Sequence, residues 1–154
     1  MLVDGLLWTS ETYPQYLDLP ASRRYDMDIC GYVPHAPVRV YVMDQRGADR
    51  EPATETDLRQ MTRIVREAVD AGAMGFSTSR TFFHRSSDGK STPSFEAAEA
   101  ELMVLATALR QSGKGAMQLS TDFDTPDEAS ASLHRLVKLA GRPLSVSLLV
   151  GRCR

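Results

Sequence analysis

The chain has 154 residues and a mass of 17.0 kDa, which favours a single domain with a buried core. Its 42% hydrophobic and 25% charged residues are typical of a globular protein, and the net charge of −2 excludes the basic footprint of a nucleic-acid-binding protein. The apolar runs are too short to cross a bilayer, the start lacks a signal-peptide pattern, and Cys30 and Cys153 lie too far apart to suggest a disulfide framework. We therefore expect a cytoplasmic protein that binds neither nucleic acid nor a membrane.

The first predicted helix lies within residues 9–19, where Ser and Thr capping residues precede Tyr13 and Leu17 at helical spacing. Pro14 is tolerated only in the first turn, and Pro20 is expected to end the helix. The element should therefore be short.

A short strand is predicted within residues 27–34, followed by a loop that Pro34 and Pro37 make rigid. His35 lies between the two prolines and is therefore expected on a stiff rim. Val38–Met43 is rich in β-branched and aromatic residues, which predicts a strand that is buried on both faces.

An amphipathic helix is predicted after the polar loop 44–53. Thr54–Asp57 resembles a capping box, which satisfies the first amides of a helix, and Gly72 is expected to end that helix. Ala73–Ser77 then predicts a strand, and the polar loop 84–93 has a length typical of lids and binding edges. The apolar stripe of the helix recurs about every 3.6 residues and consists of Leu58, Met61, Ile64, Val65, Ala68 and Val69.

Two more helix–strand pairs complete the pattern. A helix is predicted from near Ser94 to Ser112, a strand at Gly115–Thr121, a helix capped by Thr125, and a last strand at Leu144–Val150. The inward-facing positions of these two helices are predicted to be Leu102, Leu105, Ala106, Leu109, Leu133, Leu136, Val137 and Ala140.

This alternation predicts an α/β fold with about four parallel strands between helices. A (β/α)8 TIM barrel has eight strands and about 250 residues, so four strands indicate either a small open sheet or part of a barrel. A final strand with no helix after it favours a partial TIM-barrel segment. On this interpretation residues 1–154 form one partial catalytic-barrel segment, with a lead-in helix and rim loop in residues 1–37 and a βαβαβαβ unit in residues 38–150.

Three sequence motifs follow one another along the chain: Trp8–Leu17 (WTSETYPQYL), Pro34–Met43 (a Pro-His turn, then VRVYVM) and Glu67–Arg80 (EAVDAGAMGFSTSR). Together they resemble the D-aminoacylase branch of the amidohydrolase superfamily, the N-acyl-D-amino-acid deacylases, over roughly residues 5–120. The resemblance is to an internal segment of a much longer (β/α)8 enzyme. It implies hydrolysis of a non-peptide amide C–N bond in a small N-acyl amino acid, by a zinc-bound hydroxide with a carboxylate that moves the proton.

The resemblance implies zinc as the cofactor, but none of the family's metal ligands transfers to this sequence. The His-x-His pair is absent, Cys30 does not match the family's cysteine ligand, and Met117–Asp122 has no histidine where a later ligand is expected. The three histidines, His35, His84 and His134, have no spacing that suggests a zinc site. We therefore predict no metal ligand and no catalytic residue in this chain.

Four residues are predicted to contact substrate: His35, Ser79, Arg80 and Phe83. For His35 the alternative is a hydrogen bond to its own loop backbone. Arg80 could bind a substrate carboxylate or form a structural salt bridge. The Phe82–His84 segment could form an apolar wall for an acyl chain or pack under the long loop. Ser79 has no Gly-x-Ser-x-Gly elbow and no visible paired base, so it is not expected to act as a nucleophile.

The first hypothesis is thus a segment of a metal-dependent amidohydrolase that deacylates N-acyl-D-amino acids, with its metal ligands on other parts of a longer chain. The alternative is a catalytically silent, truncated remnant or an interaction module with no activity of its own. A half barrel would leave Val146, Leu148 and Leu149 uncovered at its C-terminal strand, so we expect the isolated chain to self-associate through this strand.

Overall fold

The computed structural model describes residues 9–95, 97–122 and 126–148, with Leu148 described by its backbone only. Helices and strands alternate within these ranges, with three helices between the first two strands. In chain order the elements are α1 (Tyr13–Ala21), β1 (Tyr32–Pro34), α2 (His35–Met43), α3 (Gln45–Ala48), α4 (Glu55–Asp70), β2 (Gly75–Arg80), α5 (Glu99–Ser112), β3 (Ala116–Thr121), α6 (Pro126–Ala140) and β4 (Leu144–Leu148).

The four strands form one parallel sheet in the order β1–β2–β3–β4, so each strand lies beside the next one along the chain. Every crossover therefore advances in the same direction across the sheet. Because crossovers between parallel strands are right-handed, this order places the connecting helices on one face. The predicted α/β fold with four parallel strands is confirmed.

The helix-covered face of the sheet carries the main core. Val33, Phe76 and Met117 lie in register on neighbouring strands and are fully buried. The helices add buried side chains that the apolar stripes predicted: Met61, Val65, Ala68, Val69, Leu102, Leu105, Ala106, Leu109, Leu136 and Ala140. The prediction for Val137 is wrong, because its side chain is 42% exposed at the margin of the α6 stripe.

The opposite face, called the open face below, is lined by small polar side chains. Side chains alternate between the faces of a strand, which places two rows across the open face: Ser77, Gln118 and Ser145, then Ser79, Ser120 and Ser147. All six are half-buried or exposed. The Gln118 amide donates to Ser120 Oγ at 3.3 Å and to Ser147 Oγ at 3.2 Å. This face is therefore suited to contact with water.

The predicted start of α1 is confirmed, and its end lies later than predicted. Thr12 and Gln15 form a capping box at the first turn. The helix passes through Pro20, because a proline in the last turn removes only one intrahelical donor and leaves the backbone able to continue. Ser22 then closes the helix, with its amide donating to the backbone oxygen of Asp18 at 3.0 Å.

The predicted capping box of α4 is also confirmed. The Thr54 hydroxyl accepts from the Asp57 amide at 3.2 Å, and the Asp57 carboxylate accepts from the Thr54 amide at 2.8 Å. Arg46, on the short helix α3 that the sequence did not predict, donates to Asp57 at 2.8 Å. The hydrogen bond from Arg46 is the largest cause that lowers the pKa of Asp57 to about 2. The hydrogen bonds with Thr54 lower this pKa further, and partial burial opposes the shift.

The prediction of a strand at Val38–Met43 is wrong, because these residues belong to α2. Burial within α2 has the helical period, and its buried residues are His35, Val38, Arg39 and Met43. Pro37 does not break the helix, since it lies in the first turn, where amides have no intrahelical partner. The β-branched content is only a weak local preference, which tertiary packing overrides. His35 is consequently the first residue of a helix, on the buried side of that helix, and does not lie on a rim loop.

Two further boundaries differ from the predictions. β2 begins at Gly75 and continues to Arg80, beyond the predicted strand. α5 begins at Glu99 rather than near Ser94, because the Ser94 hydroxyl does not cap a helix and donates instead to the backbone oxygen of Ser79 at 3.0 Å. The later start lengthens the connection between β2 and α5.

β4 is an edge strand of the sheet. Val146 pairs in register with the buried Leu119, and it is half-buried on the helix-covered face rather than uncovered. Leu149 lies outside the described residues, as does Thr125, the predicted cap of α6. Self-association through β4 stays a prediction.

Gly75 lies where the backbones of β2 and β3 approach closely. Its φ is 151°, and a Cβ there would lie 1.8 Å from the backbone oxygen of Ala116. We expect Gly75→Ala to lower the free energy of unfolding by roughly 2–6 kcal/mol, the combined cost of backbone strain and overpacking. The control Gly113→Ala, with a φ of 62° and open space around it, should lose only about 1–2 kcal/mol. Chemical denaturation measures both, and equal losses would contradict the steric argument.

Candidate functional site

Polar groups collect where β2 and β3 end. The strand register pairs Ser79 with Ser120 and Arg80 with Thr121, and Asp122 follows immediately. The carboxyl ends of parallel strands form one edge of a sheet, which is where α/β proteins place their binding sites. This edge therefore combines hydroxyl groups, a guanidinium and a carboxylate.

Asp122 holds the turn that follows β2. Its carboxylate accepts from the Thr81 hydroxyl at 2.6 Å and from the Phe82 amide at 2.9 Å. The Thr81 hydroxyl in turn accepts from the Phe83 amide at 3.3 Å. Hydrogen bonds to a carboxylate are among the stronger ones in proteins. The turn from Thr81 to His84 is thus fastened to the end of β3.

The same turn brings His84 beside Ser79. Ser79 Oγ and His84 Nδ1 are 2.7 Å apart, a hydrogen-bonding distance. The His84 side chain is exposed and the Ser79 side chain is half-buried. The sequence showed no base beside Ser79, because a contact across a turn leaves no sequence motif, whereas the structure places an imidazole there.

Phe83 and Phe82 form an exposed aromatic pair in this turn. Their ring centroids are 4.3 Å apart with an interplanar angle of 30°, and they are 58% and 42% exposed. Phe83 therefore does not pack under the long loop, which was the alternative prediction. Two stacked rings open to solvent are a ready surface for an apolar group.

A cavity of about 590 Å³ opens beside Arg80, between the end of the sheet and the helices α5 and α6. Ligand pockets commonly have volumes of about 300–1,000 Å³. Arg80 is the one of the four predicted site residues that lines this cavity. The floor is apolar and the rim is charged: Leu102, Leu119, Leu133 and Leu136 lie below, and Arg80, Glu99, Asp122 and Glu128 lie around the mouth.

Arg80 is the cation of this rim, and its guanidinium makes no hydrogen bond or salt bridge to any other described residue. Glu99 has a partner elsewhere, since Arg135 donates to it at 2.7 and 3.0 Å and thereby lowers the pKa of the Glu99 carboxyl. Asp122 is engaged by the turn. Arg80 therefore has no hydrogen-bonded partner among the described residues, and its charge contributes to the lowered pKa of Glu99.

His35 lies in the protein interior, at the contact of α2, α5 and β2. Its ring is 5.3 Å from that of Phe76, Nδ1 is 2.9 Å from Thr78 Oγ1, and Nε2 is 2.6 Å from Glu101 Oε1. The side chain is 1% exposed. His35 therefore contacts neither the cavity nor its own loop backbone, the two alternatives that the sequence suggested.

Glu101 is shared between His35 and Arg39. Arg39 Nη1 donates to Glu101 Oε2, and Arg39 Nη2 donates to the backbone oxygen of Glu51 at 2.7 Å. Burial would raise the pKa of Glu101, but the hydrogen bonds from His35 and Arg39 lower it. Arg39 therefore places a positive charge beside the buried carboxylate.

Burial in this cluster favours the neutral form of the His35 imidazole. Burial lowers its pKa, the hydrogen bond to Glu101 opposes this, and the charges of Arg39 and Arg80 add to the lowering. One neutral tautomer satisfies both partners: Nε2–H donates to Glu101, and Nδ1 accepts from the Thr78 hydroxyl. The neutral ring therefore makes both hydrogen bonds at no cost in buried charge.

The described residues do not fit a zinc ion. Within residues 9–95, 97–122 and 126–148, no group of three or more His, Cys, Asp or Glu side chains could hold a metal. His35 has one carboxylate beside it, and the Cys30 thiol donates a hydrogen bond to the sulfur of Met74.

Sequence reasoning missed Arg39 and Glu101 as partners of His35. A weak signal exists, because each charged residue lies on the buried side of its helix, among the apolar residues. Arg39 is adjacent to Val38, and Glu101 is adjacent to Leu102. Nothing in the sequence pairs two such positions, because they lie 62 residues apart.

Comparison of the chain with family models, with curated proteins and with solved structures gave no match. No helix of the described residues has the length and apolarity to span a membrane.

The neutral state of His35 predicts a loss of stability in mild acid. In the unfolded chain a histidine binds a proton below about pH 6.5, whereas folded His35 binds one only at a lower pH, because its pKa is lowered. The contribution of neutral His35 to the free energy of unfolding is therefore complete above about pH 6.5 and is lost as the pH falls from there through the folded pKa. We expect the free energy of unfolding to fall by up to about 1.4 kcal/mol per pH unit below pH 6.5 from this group. Measurement above about pH 5 excludes the titration of Glu101.

His35→Gln should flatten this slope, measured by urea denaturation at several pH values. His134→Gln is the matched control, because His134 is exposed on α6, and its slope should equal that of the unmodified protein. An undiminished slope in His35→Gln would contradict the assignment of a neutral buried imidazole.

Proposed function

We propose that this chain is a segment of a (β/α)8 metal-dependent amidohydrolase that hydrolyses non-peptide amide bonds, with N-acyl-D-amino acids as the substrate class. The resemblance of the sequence motifs suggests the family, and one structural observation supports it: the parallel strands follow chain order across the sheet. TIM barrels arrange successive strands in this way, whereas doubly wound sheets reverse the order at a switch point. A barrel sector accounts for the strand order and for helices on one face.

In this proposal Arg80 binds the carboxylate of the substrate. Its planar guanidinium matches two carboxylate oxygens, and it makes no hydrogen bond or salt bridge to another described residue. The apolar floor of the adjacent cavity or the exposed rings of Phe82 and Phe83 receive the acyl group. The apolar floor belongs to the same cavity as Arg80, and the two phenylalanines follow Arg80 closely along the chain.

The remaining predicted site residues take different roles in the same proposal. Ser79 presents its hydroxyl at the end of β2 on the open face, where a substrate could accept a hydrogen bond. His35 supports β2 through Thr78 and does not itself reach the substrate. The zinc that the family uses, which supplies a hydroxide nucleophile, would be held by residues outside the described part of this chain.

The test begins with the natural protein purified from its source cells. We measure its intact mass, its zinc content and its rates of hydrolysis of N-acetyl-D-amino acids and of their L enantiomers. The expected result is a mass above 17.0 kDa, bound zinc, and faster hydrolysis of the D enantiomers. A 17.0 kDa product with neither zinc nor turnover would contradict the proposal and favour the silent remnant or interaction module.

Arg80→Gln in that protein tests the substrate contact. Loss of a charged hydrogen bond is worth about 1.5–3 kcal/mol, so KM should rise roughly 10- to 150-fold with a smaller change in kcat. Arg85→Gln, an exposed arginine in the following loop, is the control. Equal KM values for the two variants would show that Arg80 does not bind the substrate.

A further inference from the structure

We propose that Ser79 and His84 form a nucleophile–base pair that accepts acyl groups from activated carboxylic esters, an activity that needs no metal. The pair is distinct from the Arg80 cavity. Alternation along β2 places Ser79 on the open face, whereas Phe76, Thr78 and Arg80 point to the helix-covered side.

The geometry of the pair is that of an activated hydroxyl. A serine hydroxyl is a weak nucleophile until an adjacent base takes its proton, and nucleophile and base must lie about 2.6–3.2 Å apart. Ser79 Oγ and His84 Nδ1 are 2.7 Å apart. His84 is exposed, so its ring can exchange the proton with water.

Both members of the pair are held by contacts from other elements. The backbone oxygen of Ser79 accepts from the buried Ser94 hydroxyl at 3.0 Å. The turn that carries His84 is fixed by the two hydrogen bonds to Asp122 and by the His84 amide, which donates to the backbone oxygen of Thr81 at 3.3 Å. The pair is therefore positioned before any substrate arrives, which reduces the entropy lost on reaction.

The surroundings indicate an ester with an apolar or aromatic group. The stacked rings of Phe82 and Phe83 stand in the same turn and are exposed. Ser79 also begins a row of hydroxyl groups that continues through Ser120 and Ser147 on the neighbouring strands. An acyl or aryl group can pack on the rings while polar parts of the molecule face the serine row.

The step is balanced as follows. Ser79 Oγ bonds to the ester carbonyl carbon as its proton passes to His84 Nδ1, and the bond between that carbon and the leaving oxygen breaks. The leaving oxygen departs as an alkoxide or phenolate and takes up a proton from the imidazolium or from water. The acyl-serine that results is cleaved by water, which returns the hydroxyl and releases a carboxylic acid.

The experiment uses the 154-residue chain with p-nitrophenyl acetate in the presence of EDTA. Release of p-nitrophenolate is followed in solution, and peptide mass mapping identifies the acetylated residue after a short reaction. We expect acetylation at Ser79, faster than at the exposed open-face residue Ser145 by about 100-fold or more, the usual contribution of a positioned base. Acetylation of lysine or histidine side chains with no excess at Ser79 would overturn the proposal.

Matched variants test the base. His84→Asn and His84→Gln should each slow acetylation of Ser79 by about 100-fold, and His134→Asn, which changes an exposed histidine on α6, should not. Circular dichroism establishes that each variant is folded, and both substitutions at His84 are at an exposed position. Unchanged acetylation of Ser79 in a folded His84 variant would overturn the proposal. Because EDTA is present throughout, neither outcome depends on zinc or on the amidohydrolase assignment.

Discussion

A single buried carboxylate, that of Glu101, joins three elements of this structure. Removing a carboxylate from water costs several kcal/mol, so it is stable only where partners replace its hydration. Arg39 supplies the balancing charge from α2, and His35 supplies a second hydrogen bond while its other nitrogen binds Thr78 on β2. The cluster thereby connects the start of the first crossover, α2, to β2 and to α5.

The candidate site depends on a comparable arrangement at the other end of the sheet. Asp122 follows β3 directly, and its two oxygens bind the turn after β2. A side chain at the end of one strand thus holds the loop after its neighbour, and that loop carries both the aromatic pair and His84, which contacts Ser79. The site is consequently a property of adjacent parallel strands and not of any one motif.

Local signals predicted the parts of the fold that depend on neighbours in sequence. α4 has both its capping box at Thr54 and its apolar stripe within one stretch of chain, so its start and its buried face could be read directly. The helical state of α2 could not be predicted in this way, because its valines favour a strand locally and the partner of its buried Arg39 lies on α5. The pairing of Ser79 with His84 was missed for the same reason, since Asp122, 40 residues beyond Phe82, sets the turn.

The serine and glutamine rows of the open face determine what can lie against this sheet. Hydroxyl and amide groups bind water nearly as well as they bind protein, and an apolar layer placed on them would leave them without partners. The helix-covered face already contains the core, so the polar face needs no second layer to be stable. A closed sheet that includes these four strands would therefore carry hydroxyl and amide groups on this part of its inner face, and their partners would have to come from water or from polar side chains of the other strands.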